Sequence, residues 1–207
     1  MPKQLTSQGD RALTLLQGVG VVRLRSFRAA GISPETLSRL VADGRVERPA
    51  RGLYRLADAD VDARHALAMA AAQVPRGVVC LTSALQFHGL TTQMEPAVWI
   101  GIAQGGWTPK AAVPRLRIVR FQPADLVDGV RQHLINGVSV SVTEPARSIV
   151  DCFRHRRTVG LAVALEGLRT GLARRRCKPS ALEALARAGR IWSVLEPYLT
   201  ALVADGE

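Results

Sequence analysis

An α+β fold is what this sequence predicts, and three observations predict it. Residues 21–56 carry two short helical patterns parted by Gly31-Ile32-Ser33, then an arginine-studded segment that alternates and ends in Gly52-Leu53-Tyr54. Strand-like apolar alternation recurs between residues 97 and 142. From Thr143 onward the apolar spacing turns helical. At 207 residues the chain has room for one large domain or two small ones and buries a core without staples. The composition shift places a first domain at residues 1–57 and a second, mixed α/β with a helical C-terminal part, at 63–207. The acidic stretch Ala57-Asp58-Ala59-Asp60-Val61-Asp62 reads as the linker.

In the first domain, Leu24, Phe27 and Ala30 share one helical face, with Arg25 and Arg28 off it. Gly31 stops that helix, because glycine tolerates a left-handed exit. Ser33 is a good N-cap, Pro34 suits the first helical position, and Glu35 suits the positive end of the helix dipole. Leu37, Leu40 and Val41 mark the buried face of a second helix, which Gly44 ends. Glu35, Thr36, Ser38, Arg39 and Ala42 are expected on its outer face.

Arg45-Val46-Glu47-Arg48 and Gly52-Leu53-Tyr54-Arg55-Leu56 then alternate as half-buried strands do, with Pro49-Ala50-Arg51-Gly52 as the turn. Two helices and a basic hairpin in this order are the grammar of a winged helix-turn-helix, which offers its second helix to a DNA major groove. The expected DNA-binding residues are Ser33, Glu35, Thr36, Ser38, Arg39, Arg45, Arg48, Arg51 and Arg55. Arg48 and Arg51 lie near the tip, within reach of phosphates or a minor groove. Winged helices also serve as protein–protein modules; the charge pattern here favours double-stranded DNA.

Farther along, residues 63–74 read as an alanine-rich helix ended by Pro75-Arg76-Gly77, and Val78-Val79-Cys80-Leu81 as a short buried strand. Thr82 is expected to cap a helix that Gly89 ends. Ala97–Ile102 and Leu116–Phe121 read as strands. Asn136-Gly137 is a strong hairpin signal, with Val138, Val140 and Val142 on one face and Ser139 and Ser141 on the other. Thr143 is expected to cap a helix with Pro145 in its first turn and Ala146, Ile149, Val150 and Phe153 as its apolar stripe. Arg147 and Asp151, four apart, are placed for an ion pair. Further helices are expected over 158–170, 181–188 and 191–203, the last interrupted at Pro197.

The formal net charge is +11, almost all of it arginine, since only Lys3, Lys110 and Lys178 are lysines. Arginine suits bidentate phosphate and guanine contacts. Residues 1–57 carry a net +6, 58–151 are neutral, and 152–190 carry +8. Such asymmetry points to nucleic acid or another acidic partner. The second block holds two clusters, Arg154, Arg156 and Arg157, and Arg174, Arg175, Arg176 and Lys178. They suit either a phosphate backbone or the solvation and dipole complementation of helix ends.

Catalytic and metal chemistry find little here. Cys80, Cys152 and Cys177 are odd in number and widely spaced, so neither a disulfide framework nor zinc spacing is expected. The histidines are scattered, and His88 reads as packed or capping. Glu144 and Asp151 share a helix face, but Arg147 gives Asp151 a simpler role. None of the three lysines has an acid two positions before it, as a restriction-type nuclease requires, and no P-loop occurs. No catalytic residue, metal or cofactor is expected. With no signal-peptide pattern and no apolar run near the ~20 residues of a membrane span, a cytoplasmic chain without membrane contact is expected.

Three segments resemble the abortive-infection AbiE antitoxin family of type IV toxin–antitoxin systems. One is Leu37-Ser38-Arg39-Leu40-Val41 with Gly44-Arg45-Val46-Glu47-Arg48 and Arg51-Gly52-Leu53-Tyr54. Another is Ser83-Ala84-Leu85 with His88-Gly89-Leu90. The third runs from Val142 to Asp151 and is similar to the family's Thr-x-x-x-Arg-Thr-x-x-Asp segment. The chain departs from the pattern at Arg23, where relatives often carry a Thr or Ser cap, and at Ser148, where Thr is usual. The resemblance implies a repressor of its own operon that binds operator inverted repeats. It also implies an antitoxin that offsets a nucleotidyltransferase-like toxin, direct contact not being required. Two other readings compete: a DNA-targeted enzyme such as a nuclease, and an antitoxin that neutralises its partner by direct binding.

Overall fold

The computed structural model describes residues 7–58, 63–109 and 113–204. Ala59, Asp60, Val61 and Asp62 of the expected linker lie outside the described residues. The chain is mixed α+β: helices and strands at the N-terminus, then a sheet, then C-terminal helices. It divides into two compact units. The first comprises Met1–Arg76, Trp107–Arg115 and His133–Val140, and so extends beyond residue 57; the second comprises Gly77–Gly106, Leu116–Gln132 and Ser141–Glu207.

The first unit runs α1 (Gln8–Val19), β1 (Val21–Arg23), α2 (Leu24–Ala29), α3 (Pro34–Ala42), β2 (Val46–Ala50), β3 (Leu53–Leu56) and α4 (Ala63–Gln73). Its sheet is antiparallel in the order β1-β3-β2. Helix α1 and strand β1 stand outside the expectations above. Ser7 opens α1 with a capping box: its hydroxyl accepts from the Asp10 N–H, and the Asp10 carboxylate accepts from the Ser7 N–H. Gly31 ends α2, whose short length leaves Phe27 as its buried anchor. Phe27 meets Tyr54 edge to face at 5.7 Å, within a core that includes Leu16, Ile32, Leu37, Leu40 and Val46. Strand β2 lies at the sheet edge and is bulged between Glu47 and Ala50, which is where a Pro49 without an N–H is tolerated. The turn of the β2–β3 hairpin therefore shortens to Arg51-Gly52.

A five-stranded sheet is ordered β6-β5-β4-β8-β7, where β4 is Val78–Val79, β5 Ala97–Ala103, β6 Arg115–Phe121, β7 Val130–Ile135 and β8 Val138–Thr143. Strand β4 pairs antiparallel with β5 and parallel with β8. The β7–β8 turn is Asn136-Gly137, both at positive φ, as a two-residue type I′ turn requires. The helices are α5 (Leu81–Phe87), α6 (Pro145–Arg154), α7 (Arg156–Val159), α8 (Leu161–Ala173), α9 (Pro179–Ala188) and α10 (Trp192–Ala204). Helix α6 is the centre of the core: every residue from Arg147 to Phe153 is buried.

Four local expectations need correction. Thr82 does not cap α5. Cys80 holds that position, and Thr82 sits fully buried one residue inside the helix. Thr143 does not cap α6 either. Glu144 is the N-cap, and the Thr143 hydroxyl lies 2.7 Å from that of Ser148. Helix α10 is not interrupted at Pro197 but runs through it, with Leu195 and Leu199 buried on either side. Burial of that face outweighs the one hydrogen bond that proline removes. The helix expected over 158–170 begins later, because Gly160 at φ +93 separates α7 from α8.

Candidate nucleic-acid interface

Helix α3 and the β2–β3 hairpin are adjacent elements of one small core, so the positions of their outward side chains follow from it. Ser33 caps α3, accepting from the Thr36 N–H at 3.3 Å. Leu37 and Leu40 face inward. Glu35, Ser38, Arg39 and Ala42 are exposed, as the spacing predicts. Thr36 is not: it is 9% exposed, and its hydroxyl donates to Gln8 Oε1 at 3.0 Å. The same oxygen accepts from the Ser33 backbone N–H at 3.0 Å. The first turn of α1 is thereby tied to the start of α3, which turns Thr36 inward.

Glu35 remains ionised to lower pH than an ordinary glutamate. Its own backbone N–H is the main cause, the Ser33 hydroxyl the next, with Arg28 and Arg39 adding attraction. A carboxylate at the start of α3 repels phosphate but accepts from a cytosine amino group. Arg39, one turn on, suits guanine. Acceptor and donor thus stand on the same exposed helical face.

On the hairpin, Arg45, Arg48 and Arg51 are exposed. The Arg48 guanidinium lies over the Tyr54 ring, 6.0 Å from its centroid, at the outer reach of a cation–π contact, and the residue stays exposed. Arg55 departs from expectation. Both its Nε and Nη2 donate to Glu47 Oε2, at 2.9 and 2.6 Å, so its charge is already matched across the hairpin. Among the residues expected to meet DNA, the structure brings Glu35, Ser38 and Arg39 onto one helix face and Arg48 and Arg51 onto the neighbouring hairpin. It turns Thr36 inward and pairs Arg55. Sequence spacing missed Gln8; its one legible signal was the Ser7-x-x-Asp10 box that begins α1.

The second basic block divides likewise. Arg154 reaches Asp125 at 3.5 Å and donates to the Gly189 carbonyl at 3.1 Å, and Arg156 donates to the Phe153 carbonyl at 3.1 Å. These two serve the fold of their own unit. Arg174 donates to the Gly89 carbonyl at 2.8 Å but remains exposed, as do Arg157, Arg175, Arg176 and Lys178.

The residues weighed for catalysis have structural partners. His88 Nε2 lies 2.7 Å from the Thr143 carbonyl. Glu144 pairs with Arg131 at 2.8 Å. Arg147 Nε donates to Asp151 at 2.8 Å, and its other nitrogens reach the Asp128 carbonyl and the Asp125 carboxylate. Burial pushes the Cys80 and Cys152 thiols well above their ordinary range and Cys177 up to about 11. Among the described residues no group of three His, Cys, Asp or Glu is placed to hold a metal, and no helix is long and apolar enough to cross a membrane.

Residues 10–57, from α1 to the end of the hairpin, match the model of a family described as "Transcriptional regulator, AbiEi antitoxin". No curated protein matches the chain. A crystal structure of the RV2827C protein from Mycobacterium tuberculosis is similar over 98% of this chain and 83% of that one, at a TM-score of 0.61 and 18% identity. At that identity the likeness establishes the fold alone.

Proposed function

We propose that the chain is a DNA-binding repressor of its own operon and the antitoxin of a type IV toxin–antitoxin pair. The order helix, strand, two helices, two strands, with the sheet order β1-β3-β2, is read here as a winged helix. One observation carries the reading: the segment matching the AbiEi antitoxin regulators is the segment whose α3 exposes Glu35, Ser38 and Arg39 beside the exposed Arg48 and Arg51. Helix α3 enters the major groove and reads bases, while the hairpin arginines hold phosphate. The operator is an inverted repeat upstream of the gene. The toxin is nucleotidyltransferase-like and is offset without obligatory contact.

The test is fluorescence anisotropy of the full chain on duplexes from its own upstream region and on scrambled duplexes. Salt is varied between roughly 50 and 200 mM, where phosphate contacts lose affinity steeply. Tighter binding to the upstream DNA, with affinity falling as salt rises, is expected. Equal affinity for both duplexes overturns the repressor reading. Failure of the chain to rescue growth when the adjacent reading frame is expressed overturns the antitoxin reading alone.

A further inference from the structure

The first unit contains a half-open cavity of about 450 Å³ that the proposed DNA contacts do not use. Leu15 and Val19 of α1, Val22 of β1, Ala72 of α4 and Val138 line its apolar part. Arg23 and Arg25 line its polar side. Every lining residue belongs to this unit.

Arg23 is at odds with its surroundings. Arg23 is half-buried, and neither it nor Arg25 forms an ion pair with an acid among the described residues. Burial, and next the charge of Arg25, makes the Arg23 guanidinium harder to keep charged than in water. Arg23 also does not cap α2, although it occupies the N-cap position. A half-buried guanidinium beside a like charge gains most from an anion. An apolar wall facing that charge gains from a hydrocarbon body.

We infer that this cavity binds a small amphipathic organic anion, its carboxylate, sulfonate or phosphate on Arg23 and Arg25 and its apolar body against Leu15, Val19, Val22 and Ala72. The concave apolar lining favours such a molecule over a DNA backbone, which offers charge without an apolar body. Since Arg23 ends β1 and Ser26, which also lines the cavity, belongs to α2, an occupant touches the two elements that lead into α3.

The experiment is a titration of the full chain, followed by NMR and calorimetry, with decanoate, its neutral analogue 1-decanol and inorganic phosphate, each kept below aggregation. Saturable one-to-one binding of decanoate is expected, at least tenfold tighter than decanol or phosphate. Arg23→Gln should weaken it tenfold or more, and Ala72→Leu, which narrows the cavity, should also weaken it. Circular dichroism and thermal midpoints establish that both variants are folded. Absence of saturable decanoate binding to the parent chain overturns the proposal whatever the variants do. So does equal binding of decanoate and decanol, or decanoate binding unchanged in a folded Arg23→Gln. If Arg23→Gln weakens binding to duplex DNA and leaves decanoate unaffected, the arginine is a phosphate contact and the proposal falls.

Discussion

Gln8 and Thr36 lie twenty-eight residues apart and are joined by a 3.0 Å hydrogen bond that fixes the start of α3 against α1. The Ser33 N–H donates to the same Gln8 oxygen, which identifies it as the acceptor end of the amide. Thr36 is buried, and the Ser33 hydroxyl at 3.2 Å is its other polar neighbour. Gln8→Ala and Thr36→Val should each destabilise the chain by about 0.5–1.5 kcal/mol. In a double-mutant cycle measured by urea unfolding, the pair should lose less than the sum of the two singles. Strict additivity would break the proposed coupling.

The hairpin arginines should behave differently. Arg48→Ala and Arg51→Ala are expected to weaken binding to any duplex without changing the preferred sequence, because phosphate contacts position and do not specify. Each should reduce the log–log salt slope by about one unit. Unchanged affinity of both variants at moderate salt removes the hairpin from the interface.

With Thr36 turned inward, Arg39 is the arginine on the exposed face of α3 that is proposed to read a base. Arg39→Ala should narrow the gap between operator and random DNA by roughly 1–3 kcal/mol, the usual worth of an arginine–guanine pair. Thr36→Val should leave that gap intact apart from any loss through stability. A variant at Arg39 with full discrimination places recognition on another element.

What the sequence made legible was local. Asn136-Gly137 was readable because its two positive φ values are a property of two adjacent residues, and Arg147–Asp151 because four residues make one helical turn. The same Arg147 also holds the Asp128 carbonyl and Asp125, about twenty residues back, and no periodicity announces that. Thr36 was misplaced for the same reason: its spacing within α3 does not reveal that α1 packs across the helix start. Glu47 and Arg55 are cross-strand partners whose pairing follows from the hairpin register, and a bulge at Pro49 hid that register. Among the expected contacts that the structure reassigns, Thr36, Arg55 and Arg154 have long-range or bulge-dependent partners, whereas Arg156 turns back to the Phe153 carbonyl three residues before it.

The second basic block offers a direct contrast. Arg154→Ala should lower stability, by about 1–3 kcal/mol, since it removes a charged hydrogen bond to the Gly189 carbonyl and a half-buried partner of Asp125. Combined Arg175→Ala and Arg176→Ala should leave the unfolding midpoint within experimental error, because both side chains are exposed. If this block adds phosphate contacts, the double variant should bind DNA more weakly at low salt. Affinity equal to the parent at every salt concentration would leave these arginines as solvated surface.

Asp151 gives the last prediction. Burial raises its pKa from 3.8 to about 6, against the attraction of Arg147, which donates to it at 2.8 Å. The sign follows from proton binding: between pH 3.8 and about 6 the native state holds this proton more tightly than the unfolded chain. Its contribution to stability therefore falls as pH rises through that window and is constant above it, the reverse of an ordinary surface-paired carboxylate. At about 1.36 kcal/mol per pKa unit, the fall is of order 3 kcal/mol. Asp151→Asn cannot titrate, and it retains an oxygen that accepts from Arg147. Subtracting its unfolding free energy from that of the parent at each pH cancels the other carboxylates, so the difference should decline from pH 4 to about 6 and then level. A difference that stays flat across this range, or rises, means that Arg147 holds the aspartate ionised throughout and that the buried pair carries no pH-dependent cost.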